Sequence, residues 1–232
     1  MNRSFRRGLT EVHWCQGALV LNHGDEALLL DCPSGAAETI GSRLEPLVAI
    51  ALTSGRIESV GGLPAVLCEL QRYRNPEQAL PIHFCLGEER APTLASAWSQ
   101  AFSGGFPVAF DAEVPGARFA EGEFTVSTCS VVHGEPNWVA KMVERAIGLA
   151  LRIETRDLTM VWIPGAAPSP TLRRWCSGAD LAVVEAGIRP WPPMSQEWRM
   201  TAEQAYSIGQ CAGELWLVGD DGFRLETARC KF

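Results

Sequence analysis

One stretch limits the possible folds of this chain more than any other: Val48-Ala49-Ile50-Ala51-Leu52-Thr53-Ser54-Gly55-Arg56-Ile57-Glu58-Ser59-Val60-Gly61-Gly62-Leu63-Pro64. Its apolar start, rich in Val, Ile and Leu, reads as a buried strand. It runs into a polar, glycine-containing turn and then a helix-compatible segment. A strand-loop-helix junction of this kind belongs to an open α/β sheet, where ligands sit just beyond the carboxyl ends of the strands. Residues 53–59 are therefore where chemistry would be placed.

The chain is long enough to bury a large core: 232 residues, 47% hydrophobic, with mean hydropathy +0.02. We read one domain over residues 1–232. A net charge of -7, with no run of five or six like charges, argues against a nucleic-acid surface, because neutralising phosphates needs a clustered basic face. Arg3, Arg6 and Arg7 read as a solvated arm. No apolar run approaches a membrane span and no secretory segment opens the sequence, so no membrane association and a cytoplasmic location are expected. The eight cysteines form no C-x-x-C pair and read as reduced, buried thiols.

In chain order, residues 18–21 and 27–30 form a hairpin around Asn22-His23-Gly24-Asp25-Glu26. The second strand ends at Asp31, and residues 36–44 read as a helix. Helical spacing follows over residues 60–73, then a strand over 81–87 and a helix over 89–102. Residues 104–124 read as a loop-rich meander leading to a strand that ends at His133. Residues 149–154 and 159–163 form a second hairpin, followed by a short helix at 170–176, a strand at 179–186, a helix capped by Thr201 and a strand at 214–220. Between the last two lies an excursion rich in proline and tryptophan, residues 188–198, with Trp191 and Trp198. Surface exposure there suggests an interface, and folding back over the sheet edge suggests a lid.

Leu52-Thr53 and Val60-Gly61-Gly62-Leu63 closely resemble the signature loop of the metallo-β-lactamase superfamily, in particular its ribonuclease Z-like small hydrolases. There a strand ends in Thr-His-x-His-x-Asp-His and continues as a small apolar residue, Gly-Gly and Leu. The likeness extends over roughly residues 17–221 through ordered landmarks: Asp31, His133-Gly134, Ala179-Asp180 to Glu185-Ala186 and Met200-Thr201. It implies an α/β fold, a four-layer αββα sandwich. The family's metal-binding positions, however, carry other residues here. Ser54, Arg56 and Ser59 stand for its three histidines, Glu58 for its aspartate, Ala166 for the aspartate that bridges two metals, and Gly219, followed by Asp220, for its last histidine. Only His133 keeps its type. Asp31 matches a family aspartate that supports the metal loop, though it also suits a cap of the following turn.

Two functional expectations follow. The first is a catalytically degraded member, a pseudoenzyme without cofactor, acting in binding, regulation or scaffolding through a protein partner or homodimer. The second is a hydrolase with a rebuilt site, either a mononuclear metal on Glu58, His133 and Asp220 or a metal-free pocket holding a small anionic or phosphate-containing ligand. A dinuclear centre needs several convergent N and O donors, and a permanently charged guanidinium at Arg56 opposes a dication. Arg56 should instead pair with Glu58 or Asp31. If that pair is buried, breaking it costs about 3–5 kcal/mol.

Overall fold

The structure, a computed structural model, describes residues 3–101, 105–133, 146–187, 200–219 and 225–229. It divides into two compact units: Met1–Val114 with Phe119–Phe124, and Pro115–Arg118 with Thr125–Phe232.

The first unit is built on a seven-stranded sheet whose strands run in chain order. Strands β1 (Arg3–Arg7), β2 (Thr10–Cys15), β3 (Ala18–His23) and β4 (Glu26–Leu30) form an antiparallel meander. The arginine-rich start is thus an edge strand and not a solvated arm. Its alternation of Arg3, Phe5 and Arg7 registers on Trp14, Val12 and Thr10, and its charges blunt an open sheet edge. The expected hairpin forms, with Leu21 opposite Leu28 and Gly24 at φ +59° in its turn.

From β4 onward the pairing is parallel, through β5 (Leu47–Ala51), β6 (Leu80–Cys85) and β7 (Val108–Glu113). Parallel neighbours need crossovers, and helices supply them. These are α1 (Ala36–Ile40) with a 3-10 turn (Gly41–Leu44), then α2 (Ile57–Val60) and α3 (Leu63–Leu70), then α4 (Arg90–Ala101). The helix expected over 60–73 is therefore interrupted at Gly61-Gly62. Strand β7 lies in the stretch expected to be a meander. Its residues are all at least partly exposed, so it lacks the apolar run that marks β5. Val20, Leu29, Ile50 and Ile82 on the helix side pack with Ile40, Leu67 and Trp98 into one core cluster. Arg74 closes the opposite end. It donates from Nη1 to the Leu47 carbonyl (2.6 Å) and from Nη2 to that of Ala79 (3.0 Å), over the Phe106 ring, and burial pushes its pKa down.

The second sheet also has seven strands, in the order β14-β13-β12-β11-β10-β9-β8. They are β8 (Arg118–Glu121), β9 (Phe124–His133), β10 (Ala146–Glu154), β11 (Thr159–Ile163), β12 (Leu181–Ala186), β13 (Glu214–Gly219) and β14 (Leu225–Arg229). The second expected hairpin is β10–β11, with Leu151 opposite Trp162. Parallel β11–β12 and β12–β13 are connected through α5 (Pro170–Cys176) and α6 (Ala202–Gly209). Helix α5 starts on a Ser169 cap with Pro170 in its first turn. Helix α6 starts on a capping box in which Thr201 and Gln204 satisfy each other's amides. Val161, Ile163, Leu172, Val184, Ala205 and Leu215 form this unit's core.

Among the described residues, no helix is long and apolar enough to cross a membrane. The described cysteines are free thiols, and Cys230 lies outside the described residues.

Candidate functional site

In the first unit, β4, β5 and β6 end at one edge of the sheet, and the strand-loop-helix junction lies there. Asp31 directly follows β4, at φ +60°, a left-handed conformation that aspartate tolerates better than most residues. Its amide donates to the Ala51 carbonyl (3.0 Å), fixing it beside β5. Its carboxylate, 2% exposed, accepts the Thr53 amide (2.8 Å) and the Thr53 hydroxyl (2.9 and 3.0 Å). Of the two roles open to Asp31, the geometry is that of loop support.

Thr53 Oγ1 lies 3.2 Å from Ser59 Oγ, which lies 3.0 Å from Ser54 Oγ. Each hydroxyl carries one proton, and that of Thr53 is committed to an acceptor-only carboxylate. Ser59 must then donate to Thr53, and Ser54 to Ser59. The result is a one-way relay, Ser54 to Ser59 to Thr53 to Asp31, with the Arg56 amide donating into Ser54 at 3.3 Å. Thr53, Ser54 and Ser59 are all buried. On the other side, the Cys32 amide donates to the Ser59 carbonyl (2.6 Å) and the Gly62 amide to the Cys32 carbonyl (2.7 Å).

The next loop seals the outside. A Cβ on Gly55 would collide with the Glu88 carboxylate, and Arg90 Nη1 donates to the Gly55 carbonyl at 3.1 Å. Glu88 and Arg90 had no role in the sequence reading. Their signal is a charged run directly after a strand that ends at the same edge as β5. Burial disfavours the thiolate form of both nearby cysteines. Burial, with Asp31 adding to it, pushes the Cys32 thiol well up, and burial with Glu88 pushes Cys85 to about 11.

Arg56 Nη2 stands 3.5 Å from Glu58 Oε1, with the two side chains 20% and 58% exposed. The expected partner is right, but the pair is not a buried one, because Glu58 keeps much of its hydration. Asp31 is taken by Thr53. Arg56→Ala should therefore lower stability by no more than about 1 kcal/mol, not the 3–5 kcal/mol of a buried pair, as urea unfolding would measure.

In the second unit, Ala166 is fully buried in the core cluster. Its carbonyl accepts the Met200 amide at 3.0 Å. The carboxylate of Glu185 accepts the neighbouring Gly165 amide at 2.8 Å, a role the sequence reading did not give it. Gly219 ends β13 opposite Ala186, and His133 ends β9 opposite Ala146. Asp220, Trp191 and Trp198 lie outside the described residues.

These donors do not suit the metal ions that the resemblance implies. Where imidazoles and carboxylates would bind zinc, the first unit presents neutral hydroxyls already bonded to one another, beside a guanidinium. Among the described residues, no group of three or more His, Cys, Asp or Glu side chains is placed to hold an ion.

No family model and no curated protein matches the sequence. The fold, in contrast, matches solved structures. The metallo-β-lactamase-fold protein YhfI from Bacillus subtilis aligns over 86% of this chain and 76% of its own, at 19% identity and TM-score 0.66. Human tRNase Z, short form, aligns over 93% and 92%, at 15% identity and TM-score 0.67. A diphosphatase of the PhnP family aligns over 88% and 74%, at 14% identity and TM-score 0.65. The chain therefore has the metallo-β-lactamase fold, a mixed α/β architecture with two sheets.

Proposed function

We propose that this chain is a catalytically degraded metallo-β-lactamase-fold protein that works by binding, as a regulator or scaffold, and not by metal-assisted hydrolysis. One observation carries the reading: the relay from Ser54 through Ser59 and Thr53 to Asp31 consumes the hydroxyl protons at positions where the resembling family has histidines. A metal in that loop would have to displace these hydrogen bonds and sit close to Arg56. The occupant favoured for the binding role is a protein, either a partner or a second copy.

A small anionic or phosphate-containing ligand is the second reading. Arg56 supports it, because a guanidinium in a loose pair with a half-hydrated carboxylate can exchange that partner for a phosphate. Two of the similar structures are named as a tRNase and a diphosphatase, which makes RNA and diphosphates the natural probes. The net charge of -7 weighs against RNA.

The purified protein should carry no stoichiometric zinc, iron or manganese by elemental analysis. It should also leave phosphodiester, lactone and β-lactam substrates intact. About one metal ion per chain, lost on His133→Ala, overturns the reading. Light scattering on the same sample separates a second copy from a heterologous partner, and tRNA or inorganic diphosphate retained by wild type but not by Arg56→Ala favours the ligand reading.

A further inference from the structure

The candidate loop does not use one buried ionisable group of the first unit that is engaged at both of its polar atoms. His83, on β6, has a side chain only 5% exposed, and each ring nitrogen meets its own carboxylate. Nδ1 lies 2.9 Å from Glu113 Oε1 on β7, and Nε2 lies 3.1 Å from Glu121 Oε1. The ring also stacks on Phe119, with centroids 3.7 Å apart and planes at 10°. Phe119 and Glu121 both lie on β8, the edge strand of the second sheet beside β9, in the Phe119–Phe124 segment that groups with the first unit.

Ionised carboxylates accept hydrogen bonds and cannot donate them, so satisfying both requires two ring N–H groups, which is the imidazolium form. A neutral ring has one. It would turn a lone pair toward a carboxylate about 3 Å away, a repulsive contact in a buried site. The other titratable groups on this face are Asp111 of β7, opposite His83 in the register, and Cys85 of β6, two residues on and opposite Glu113, while β5 presents Ala51 there. No salt bridge among the described residues links Glu113 or Glu121 to an arginine or lysine; the ring is the partner they share, and it is a cation only when doubly protonated. Glu121 is the looser arm, its side chain 25% exposed against 13% for Glu113. The far end of the segment is held independently, by the Glu123 amide donating to Glu26 at 2.7 Å.

We propose that His83, Glu113 and Glu121 form a proton-operated clasp that holds Phe119–Phe124 against β6 and β7 while the ring carries both protons, and releases Glu121 and Phe119 when it loses one. Closure requires ionised carboxylates and a doubly protonated ring. Rising pH opens the clasp by deprotonating the ring, and strong acid opens it by protonating the carboxylates. The His83 carbonyl accepts the amide of Leu52 at 2.8 Å, immediately before Thr53, so opening is felt one strand away from the hydroxyl relay. The clasp does not depend on whether that relay binds a ligand.

The test is ring-nitrogen NMR of His83 together with hydrogen exchange of residues 119–122 in the full chain, over about pH 5 to 9. Both ring nitrogens should be protonated while the Phe119 stack persists. On raising the pH, loss of the second proton should coincide with about tenfold faster exchange in the segment, after correction for intrinsic rates. In Glu121→Gln the amide can accept from a protonated Nε2 or donate to a bare one, so exchange should stay slow and flat with pH. In His83→Gln it should also be flat, but faster. A singly protonated ring with the stack intact, or a pH response in Glu121→Gln equal to that of wild type, overturns the clasp.

Discussion

Asp31→Ala should destabilise the protein by about 3–5 kcal/mol, because it strands a chain of buried donors. The carboxylate accepts both the amide and the hydroxyl of Thr53, in a site where Asp31 is 2% and Thr53 0% exposed. Without it, the Thr53 amide has no acceptor there, and the relay from Ser54 loses the sink that sets its direction. Alanine also tolerates φ +60° less well than aspartate, which adds about 1 kcal/mol. Asp31→Asn separates these contributions. An asparagine can keep its oxygen on the Thr53 amide and turn its NH2 toward Thr53 Oγ1, so that the relay reverses and each hydroxyl stays paired. Its loss should be about 1–2 kcal/mol. Urea unfolding of the three proteins gives the order. Equal losses for Ala and Asn would show that the charge, and not the donor count, holds the loop.

The elements legible in the sequence were those whose burial imposes a period. Strands β3 and β4 are buried on both faces, so Ala18-Leu19-Val20-Leu21 and Ala27-Leu28-Leu29-Leu30 read as unbroken apolar runs around a glycine turn. β7 and β8 carry no such run, because their residues are all at least partly exposed, and the stretch that holds them looked like a loop. β1 was hidden by its arginines. An edge strand has one partner and gains as much from charge that deters further pairing as from apolar contacts.

The candidate loop was located from the strand-loop-helix frame, but its chemistry was not. Reading Ser54 and Ser59 as lost histidines identified what had gone, whereas the direction of their hydrogen bonds depends on Asp31, more than twenty residues earlier in the chain. The Arg56–Glu58 pair was readable from spacing, but its exposure was not, since spacing fixes proximity and leaves hydration open. His83 looked like an ordinary strand residue. Its partners are 30 and 38 residues away, a distance that local patterns cannot span.

Gly62→Ala should cost more than about 3 kcal/mol, through contact and not through backbone angle. Gly62 has φ -93°, open to any residue, so a rule based on left-handed glycines would pass the substitution. The obstacle is the chain of Pro33, whose carbonyl oxygen occupies the space a Cβ would need. A backbone oxygen cannot rotate away as a side chain can. Relief would mean separating residues 32–33 from 61–62. That stretches the bond from the Gly62 amide to the Cys32 carbonyl (2.7 Å) and the one from the Cys32 amide to the Ser59 carbonyl (2.6 Å). Ser59 would move with them, and the relay to Asp31 would lengthen. Gly24→Ala is the control: at φ +59° with nothing within 4 Å of its Cβ, it should lose only about 1–2 kcal/mol from backbone strain. Hydrogen exchange at the Thr53 amide should quicken in Gly62→Ala and stay at the wild-type rate in Gly24→Ala. If the two variants unfold at the same urea concentration, the close approach at Gly62 does not govern the loop.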